Sequence, residues 1–251
     1  MSRATLADVC VIACAEAWRG DGEIFASPML NVPTIGARLA ASTFEPDLVL
    51  SDGESLFLGR PIPVGVRSDK LVEGWIPFRS VFDVLWSGRR HVMMGPSQIS
   101  RHGDANISCL GDWAKPTRQL LGSRGAPGNT ANHTTSYFVP KHSTRVFVDE
   151  VDMVSGIGYL RAKQAGPMVE RFHEIRRVVS NLGVFDFETP DHSMRLASLH
   201  PGVDVATVVD STGFELVIPD DVPTSRLPTD DELAVMDELD PKGLRHKEVA
   251  G

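Results

Sequence analysis

The chain has 251 residues, 42% of them hydrophobic, and carries a formal net charge of −8 at pH 7. This length allows one large hydrophobic core, so folding should need neither disulfides nor a structural metal. The acidic balance argues against a nucleic-acid partner, because such binding depends on Lys and Arg releasing counterions from phosphates. The three cysteines lack CxxC spacing, which favours a reducing compartment.

The N-terminal segment predicts a helix. Thr5 and Asp8 form a capping-box pattern, and apolar residues then recur at helical spacing as far as Ala17. Acidic residues interrupt this segment, so we expect no signal peptide, no membrane span and a cytoplasmic protein. A second helix is predicted from Pro33, since proline suits the first turn of a helix.

Short apolar runs predict the strands of a buried sheet. They lie at residues 48–50, 91–94 and 145–148, with a further run from 178 that can continue to 187. Residues 80–87, between the first two runs, have helical character. Alternation of strand, loop and helix predicts the α/β class, with an open, mostly parallel sheet covered by helices on both faces.

The chain shows no repeat and no convincing linker, so we predict a single domain over residues 1–251. Near its end, Thr229 and Glu232 form a second capping-box pattern ahead of a short amphipathic helix. The following residues, about 241–251, are polar and are expected to form a loose tail.

Several familiar catalytic patterns are missing. The sequence has no GxxxxGK[ST], GxGxxG, HExxH or GxSxG, and its eight histidines show no ligand spacing. Gly156 and Gly158 alone indicate a turn more than a phosphate loop. We therefore expect no metal and no redox cofactor.

Three polar loops follow predicted strands, which is where ligands collect in open parallel sheets, so we expect the three loops to converge on a single pocket. The first loop contains Ser51, Asp52, Gly53 and Glu54. A carboxylate at a strand end can act as nucleophile or general base. A plain turn with solvated acids remains the alternative.

The second loop, residues 95–108, is rich in turn residues. Its candidate side chains are Gln98, Arg101, Asp104 and Asn106. Such a set can orient a carbonyl or carboxylate by hydrogen bonds. Alternatively, Gly103 and Asp104 form an ordinary hairpin turn and Arg101 is a surface charge.

The third loop, residues 121–129, contains three glycines and Arg124. Glycines such as Gly122 and Gly125 let backbone N–H groups approach a phosphate, pyrophosphate or oxyanion. A plain surface loop is the alternative.

Taken in order, these loops resemble the beta subunits of class I coenzyme A-transferases. The family strand end Ser-Glu-Asn-Gly, whose Glu is the nucleophile, corresponds to residues 51–54. The family segment Gly-Ala-x-Gln-Val-Asp-x-x-Gly-Asn-x-Asn corresponds to residues 95–106, and its Gly-rich segment ending in Gly-Ala-Pro corresponds to residues 122–127. The resemblance runs from about residue 5 to about 240 and implies a CoA-thioester substrate and an alpha-type partner subunit.

The strand-end acids depart from the family pattern. Asp52 is one methylene shorter than the family Glu, and Glu54 is displaced along the turn. Within the family, the sequence is most similar to steroid-degrading hydrolases. That similarity implies the beta subunit of an enzyme of cholesterol catabolism, which opens the last steroid ring of a cyclic β-keto CoA thioester by water addition and carbon–carbon cleavage. It also implies an αβ or α2β2 assembly, with CoA present only as part of the substrate.

The resemblance assigns two sets of site residues. The catalytic candidates are Asp52, Glu54, Gln98 and Asn106. The substrate- and CoA-binding candidates are Ser51, Gly53, Arg101, Gly122, Arg124 and Gly125. Two alternatives stay open: a 3-oxoacid-type CoA-transferase that uses Asp52 or Glu54, and a non-catalytic interaction subunit.

Overall fold

A computed structural model describes residues 4–52, 56–66, 71–87 and 89–249. Its helices are α1 Leu6–Glu16, α2 Asn31–Thr43, α3 Phe78–Ser87, α4 Ala126–Asn132, α5 Tyr159–Ala165, α6 Pro167–Glu170, α7 Val205–Asp210, α8 Asp230–Leu239 and α9 Leu244–Glu248. Its strands are β1 Phe25–Pro28, β2 Leu50–Ser51, β3 Leu56–Leu58, β4 Val72–Trp75, β5 Arg90–Met94, β6 Gln98–Ile99, β7 Ala105–Asn106, β8 Cys109–Leu110, β9 Arg118–Gln119, β10 Thr134–Val139, β11 Glu174–Ser180, β12 Gly183–Asp186 and β13 Arg195–Leu199.

The chain divides into two compact units. Unit 1 comprises Met1–Met94 with Ser225–Gly251, and unit 2 comprises Gly95–Thr224. The single domain over residues 1–251 stays a prediction.

Helix α1 begins as the sequence predicts, and α2 begins at Asn31, two residues before the predicted Pro33. Thr5 Oγ1 accepts a hydrogen bond from the Asp8 amide, and the Asp8 carboxylate accepts one from the Thr5 amide at 2.8 Å, which completes the capping box of α1. Helix α1 packs closely on α2, and the absence of a side chain at Gly36 makes this possible. A Cβ atom at that position would lie 3.0 Å from Cys14 Cβ. The cysteines in α1 are buried and form no disulfide with a described residue, as expected for small core residues.

Unit 1 contains two kinds of strand pairing. Strands β1 and β5 are parallel, and Val49 forms a parallel bridge with Phe25. The predicted runs at residues 48–50 and 91–94 are thus confirmed as sheet segments. Strands β2, β3 and β4 form a separate antiparallel sheet, and α3 begins three residues after β4. The predicted helix at residues 80–87 is confirmed within α3.

The expected loose tail is wrong for residues 241–249. They contain α9, and its Arg245 is buried. The Arg245 guanidinium forms ion pairs with Asp8 at 2.7 Å and with Asp240 at 3.2 Å. The Glu248 carboxylate accepts a 2.6 Å hydrogen bond from the Val32 amide at the start of α2. Polar residues in this segment therefore make contacts across unit 1, which the local sequence does not reveal.

Unit 2 has a mixed sheet. Strand β10 pairs in parallel with β11, whereas β11, β12 and β13 pair in antiparallel fashion. The predicted strand at residues 178–187 is wrong as one strand, because the chain reverses between β11 and β12. The predicted strand at 145–148 reduces to a single bridge between Phe147 and Ile99.

Among the described helices, none combines the length and apolar character needed to cross a membrane. Within the same residues, no three His, Cys, Asp or Glu side chains are grouped to hold a metal ion.

Candidate active site in unit 2

The second predicted loop folds into the β6–β7 hairpin, which frames the site. Gln98 pairs with Asn106, and Ile99 pairs with Ala105. The turn closes with a 2.8 Å bond from the Ser100 amide to the Asp104 carbonyl oxygen, and Gly103 adopts a φ of 88°. The hairpin-turn alternative is therefore correct as a description of the backbone. The side chains at its base add an organised polar centre.

Asn106 is the structural anchor of this centre. It is fully buried. Its Nδ2 donates to Gln98 Oε1 at 2.8 Å and to the Cys109 carbonyl oxygen at 2.6 Å. Its Oδ1 accepts from the Ser108 amide at 2.9 Å. With both of its amide protons engaged, Asn106 is a positioning residue and has no proton left for a substrate.

Gln98 is oriented by these contacts and is only 7% exposed. Its Oε1 accepts from Asn106 Nδ2 and also from the Asp152 amide at 3.0 Å. Two donors on one atom fix which end of the amide is oxygen. No described residue accepts a hydrogen bond from Gln98 Nε2, so this group is a preoriented donor.

Arg101 lies at the turn of the same hairpin. Its backbone carbonyl oxygen accepts a 2.8 Å bond from the Met194 amide, which fixes the base of the residue. The side chain is half-buried, and its Nε is enclosed without a hydrogen-bond partner among the described residues. The partly buried guanidinium of Arg101 is therefore not the freely solvated surface charge that was the alternative interpretation. Its enclosed Nε donor suits an anionic or carbonyl ligand.

The third predicted loop meets the second. Ser123 Oγ lies 3.1 Å from Ser108 Oγ, which in turn lies 2.7 Å from Ser155 Oγ. Gly122 has a φ of 86°, a conformation that disfavours a side chain, and Arg124 has a φ of 47° with its side chain exposed. Gly125 is the N-cap residue of α4. The two loops of unit 2 thus converge, as the sequence predicts.

Residues 152–158, which the sequence did not assign to the site, pack against the β6–β7 hairpin and bond to its backbone and side chains. The Gly156 carbonyl oxygen accepts a 2.9 Å bond from the Ala105 amide. The Gly158 amide donates to Asp104 Oδ1 at 2.7 Å. A Cβ at Gly158 would lie 2.5 Å from the Asp104 nitrogen and overlap the His102 carbonyl oxygen. The two glycines visible in the sequence were the only signal of this close approach.

The first predicted loop belongs to unit 1. Ser51 ends β2, and the Asp52 carboxylate accepts a 3.0 Å hydrogen bond from the Leu56 amide while the Asp52 amide donates to the Leu56 carbonyl oxygen. Gly53 and Glu54 lie outside the described residues. The convergence of this loop with the two loops of unit 2 stays a prediction.

The charge near the unit 2 site contrasts with that of the whole chain. Lys115, Arg118 and Arg124 are exposed and form no ion pair with a described residue. Asp112 is the only acid between residues 109 and 130, so this stretch has a local charge of +2, from three cations and one anion. Trp113 is exposed beside them. This combination can attract and stack against a phosphorylated, aromatic ligand group.

Two buried histidines of unit 2 are structural. Burial lowers the pKa of His142 to about 3, and its ring nitrogens lie 3.0 Å from Ser180 Oγ and 3.1 Å from Thr212 Oγ1. Burial also lowers the pKa of His200 to about 4, despite a hydrogen bond to the Ser180 carbonyl oxygen. Both rings are neutral at physiological pH.

Relatives of known name match the whole chain. It is 54% identical over 251 residues to the cholesterol ring-cleaving hydrolase IpdB subunit of Rhodococcus jostii (strain RHA1), covering 100% of this chain and 98% of the relative. It is 52% identical over 247 residues to the Mycobacterium tuberculosis (strain H37Rv) protein of the same name, covering 98% of each. A 3-oxoadipate CoA-transferase subunit of Pseudomonas knackmussii is 25% identical and spans 96% of this chain and 95% of that protein. No family model matches.

Solved structures show the same fold. The crystal structure of Rhodococcus jostii RHA1 IpdAB matches at 54% identity with a TM-score of 0.95, covering 100% of both chains. Glutaconate coenzyme A-transferase of Acidaminococcus fermentans matches at 21% identity with a TM-score of 0.81, over 94% of this chain and 95% of that one, which supports the fold alone. The predicted α/β, CoA-transferase-like fold class is confirmed. The chain belongs to the family of cholesterol ring-cleaving hydrolase IpdB subunits.

Proposed function

We propose that this chain is the beta-type subunit of a hydrolase that opens the last steroid ring of a cyclic β-keto CoA thioester, together with an alpha-type subunit. The observation that carries the proposal is the 54% identity, over the full chain, to a cholesterol ring-cleaving hydrolase subunit. The proposed assembly is an αβ heterodimer or an α2β2 heterotetramer.

The reaction proceeds by hydrolytic carbon–carbon cleavage. A carboxylate removes a proton from water, and the resulting hydroxide adds to the ring ketone to give a tetrahedral oxyanion. Collapse of this oxyanion forms a carboxylic acid and breaks the bond to the carbon next to the thioester. The electron pair of that bond enters a thioester enolate, which is then protonated at carbon. One carbon–oxygen bond forms, one carbon–carbon bond breaks and protons are transferred, with no net oxidation or reduction. The reaction therefore needs no redox cofactor, and we propose that it uses no metal.

Two oxygens gain negative charge along this path, first on the ketone and then on the thioester. Preoriented donors stabilise such charge most effectively, because they need no rearrangement during the reaction. Gln98 Nε2 is a donor of this kind, since both contacts of its amide oxygen hold it in place. We assign Gln98 to one of the two oxygens and Arg101 or Arg124 to the other, with Asn106 holding Gln98.

The water-activating carboxylate is assigned to the partner chain. Asp52 Oδ1 is already engaged by the Leu56 amide, so this acid serves its own turn. Glu54 remains the candidate of this chain. An authentic 3-oxoacid-type CoA-transferase, in which Asp52 or Glu54 forms a covalent acyl intermediate, is the alternative that the distant similarity to a 3-oxoadipate CoA-transferase favours.

The CoA part of the substrate is assigned to the third loop. Gly122 and Gly125 leave the backbone accessible, and three cations that form no ion pair with a described residue lie in the loop and its neighbouring hairpin β8–β9. CoA carries a pyrophosphate and a ribose phosphate, so a local positive charge on an otherwise acidic chain favours its approach.

The test uses the co-purified alpha and beta chains with the cyclic thioester in water enriched in oxygen-18. We expect a ring-opened product with one heavy oxygen in its new carboxylate. A parallel incubation contains a free acid such as acetate and the same thioester. Transfer of CoA to that acid, without ring opening, would favour the transferase. Trapping with hydroxylamine would then locate the acyl group on Asp52 or Glu54. Turnover that survives every replacement of Gln98, Asp52 and Glu54 would leave the beta chain as a non-catalytic interaction subunit.

A further inference from the structure

Helix α3 presents an aromatic face to solvent that no described residue covers. Phe78, Phe82 and Trp86 are spaced four residues apart and therefore lie along one side of the helix. They are 70%, 44% and 74% exposed, and the rings of Phe78 and Phe82 contact each other edge to face at 5.6 Å. Trp75, at the end of β4, is 68% exposed. We call these four residues the aromatic face.

Buried apolar residues beside the aromatic face already anchor α3. Leu85 is 5% exposed, and Ile76, just before the helix, is 8% exposed. The exposed aromatic residues are therefore surplus to the packing of unit 1. Large exposed aromatic residues in a contiguous patch mark an interaction site, because exposing apolar surface to water is unfavourable.

The size of the aromatic face suits a stable protein interface. Full burial of an aromatic side chain covers about 150–250 Å², so the exposed fractions amount to roughly 500 Å². The largest apolar patch on a typical monomer is about 300–600 Å², and each partner in a standard interface contributes about 800 Å². The aromatic face alone thus supplies more than half of one side of such an interface, in the residue types enriched at interface centres.

The aromatic face begins beside the strand-end acid of unit 1. Trp75 pairs directly with Leu56 across the β3–β4 ladder, and Leu56 exchanges hydrogen bonds with Asp52. Neighbouring strands lie about 4.8 Å apart, which puts Trp75 within two strand spacings of the Asp52 turn. A chain that docks on Trp75 therefore also lies near the Asp52 turn, which corresponds to the strand end that carries the nucleophile in class I CoA-transferases.

We infer that the aromatic face is the surface on which the alpha-type subunit docks, with Trp86 and Phe78 as its central contacts. This inference rests on the proposed function for the identity of the partner. Arg79 and Asp83 are exposed on the adjoining side of α3 and form the polar rim that such interfaces carry.

The test is a binding titration of this chain against its tagged alpha-type subunit, without substrate. The variant is Phe78→Glu with Trp86→Glu, and the matched control is Met168→Glu, which changes an 80% exposed apolar residue of unit 2. We expect the dissociation constant to rise at least about 100-fold for the variant, since aromatic interface centres commonly contribute more than tenfold each. The control should bind like the native chain. Phe78→Leu with Trp86→Phe should restore most of the affinity.

Circular dichroism and the thermal midpoint of the isolated chain establish that the variant is folded. Hydrogen exchange of α3 in the native chain gives a second measurement that needs no mutation, and its amides should slow when the alpha subunit is added. Unchanged affinity of the variant, or unchanged exchange of α3, overturns the inference. A variant that keeps its affinity for the alpha subunit but loses self-association also overturns the inference, because the face would then bind a second copy of this chain. A variant that only raises the KM for the thioester overturns it too, because the face would then bind substrate. A complex that assembles through this face yet opens no ring refutes the proposed function alone.

Discussion

The replacement Gln98→Glu tests the central claim about the unit 2 site. Glutamate has the shape of glutamine, and its Oε1 can still accept from Asn106 Nδ2 and the Asp152 amide. The change replaces the Nε2 donor with a carboxylate oxygen, which accepts hydrogen bonds and adds a negative charge. Loss of one donor to a developing oxyanion lowers kcat by about 10²–10³, or about 2.7–4 kcal/mol in the activation free energy. We expect kcat for ring opening to fall by at least this factor, because the added negative charge also repels the developing oxyanion.

The assay measures ring-opened product from the assembled alpha–beta complex at saturating thioester. The thermal midpoint and the alpha–beta dissociation constant, measured on the same preparation, exclude misfolding and loss of assembly as causes. A fall in kcat of less than about threefold, in a folded and assembled complex, would refute the assignment of Gln98 as an oxyanion donor.

Asn106→Asp separates positioning from direct participation. This variant retains the oxygen that accepts from the Ser108 amide but loses the donor that holds Gln98. If Asn106 acts only through Gln98, the double variant with Gln98→Glu should be no slower than the slower single variant. Multiplying effects on kcat would instead give Asn106 its own contact with the substrate.

Three further predictions concern the close packing at Gly158, the buried Arg245–Asp8 ion pair and the buried His142 ring. Gly158→Ala should destabilise unit 2 by about 1–3 kcal/mol, because its Cβ would overlap the hairpin turn. The control Gly202→Ala has open space and should cost about 1 kcal/mol for its positive φ. Equal losses of thermal midpoint would contradict the close approach at Gly158. Arg245→Met should cost about 3–5 kcal/mol because it leaves buried carboxylates unpaired, as measured by urea unfolding. Burial opposes ionisation of Asp8, but hydrogen bonds from Thr5 and the ion pair with Arg245 outweigh burial and lower the pKa of Asp8. The stability that ionised Asp8 contributes is therefore present above pH 3.8 and is lost as the pH falls further. An Arg245→Met variant with unchanged stability would show that the pair contributes nothing. The pKa of His142 is 6.5 in the unfolded chain but about 3 in the folded chain. The free energy of unfolding should therefore decrease as the pH falls from 6.5, and this ring contributes a slope approaching about 1.4 kcal/mol per pH unit. A flat profile between pH 6.5 and 4.5 would refute this.

Local chemistry in the sequence predicted the helix starts well. The capping boxes at Thr5 and Thr229 each join residues three positions apart, so their pattern is visible in the sequence. The strand predictions were weaker where pairing partners lie far apart in the chain. Residues 178–187 were predicted as one strand, but the chain reverses at Asn181 and Leu182, and β11 pairs directly with β12 in antiparallel fashion.

The polar loops illustrate the same division. Their order along the chain indicated the family and made Gln98 and Asn106 candidates for the site. The sequence could not say that Asn106 donates both of its protons, to Gln98 and to Cys109, since these bonds depend on the hairpin register. It also gave no reason to connect Arg245 with Asp8, which is 237 positions away.

The sequence by itself determined the composition class, the capped helix starts and the family likeness, because each depends on residue type and on spacing along the chain. The tertiary structure decided which amide group of the hairpin can still donate, why Gly158 tolerates no side chain and which aromatic residues remain uncovered. Those properties depend on distances between residues remote in sequence, and such distances exist only after the chain has folded.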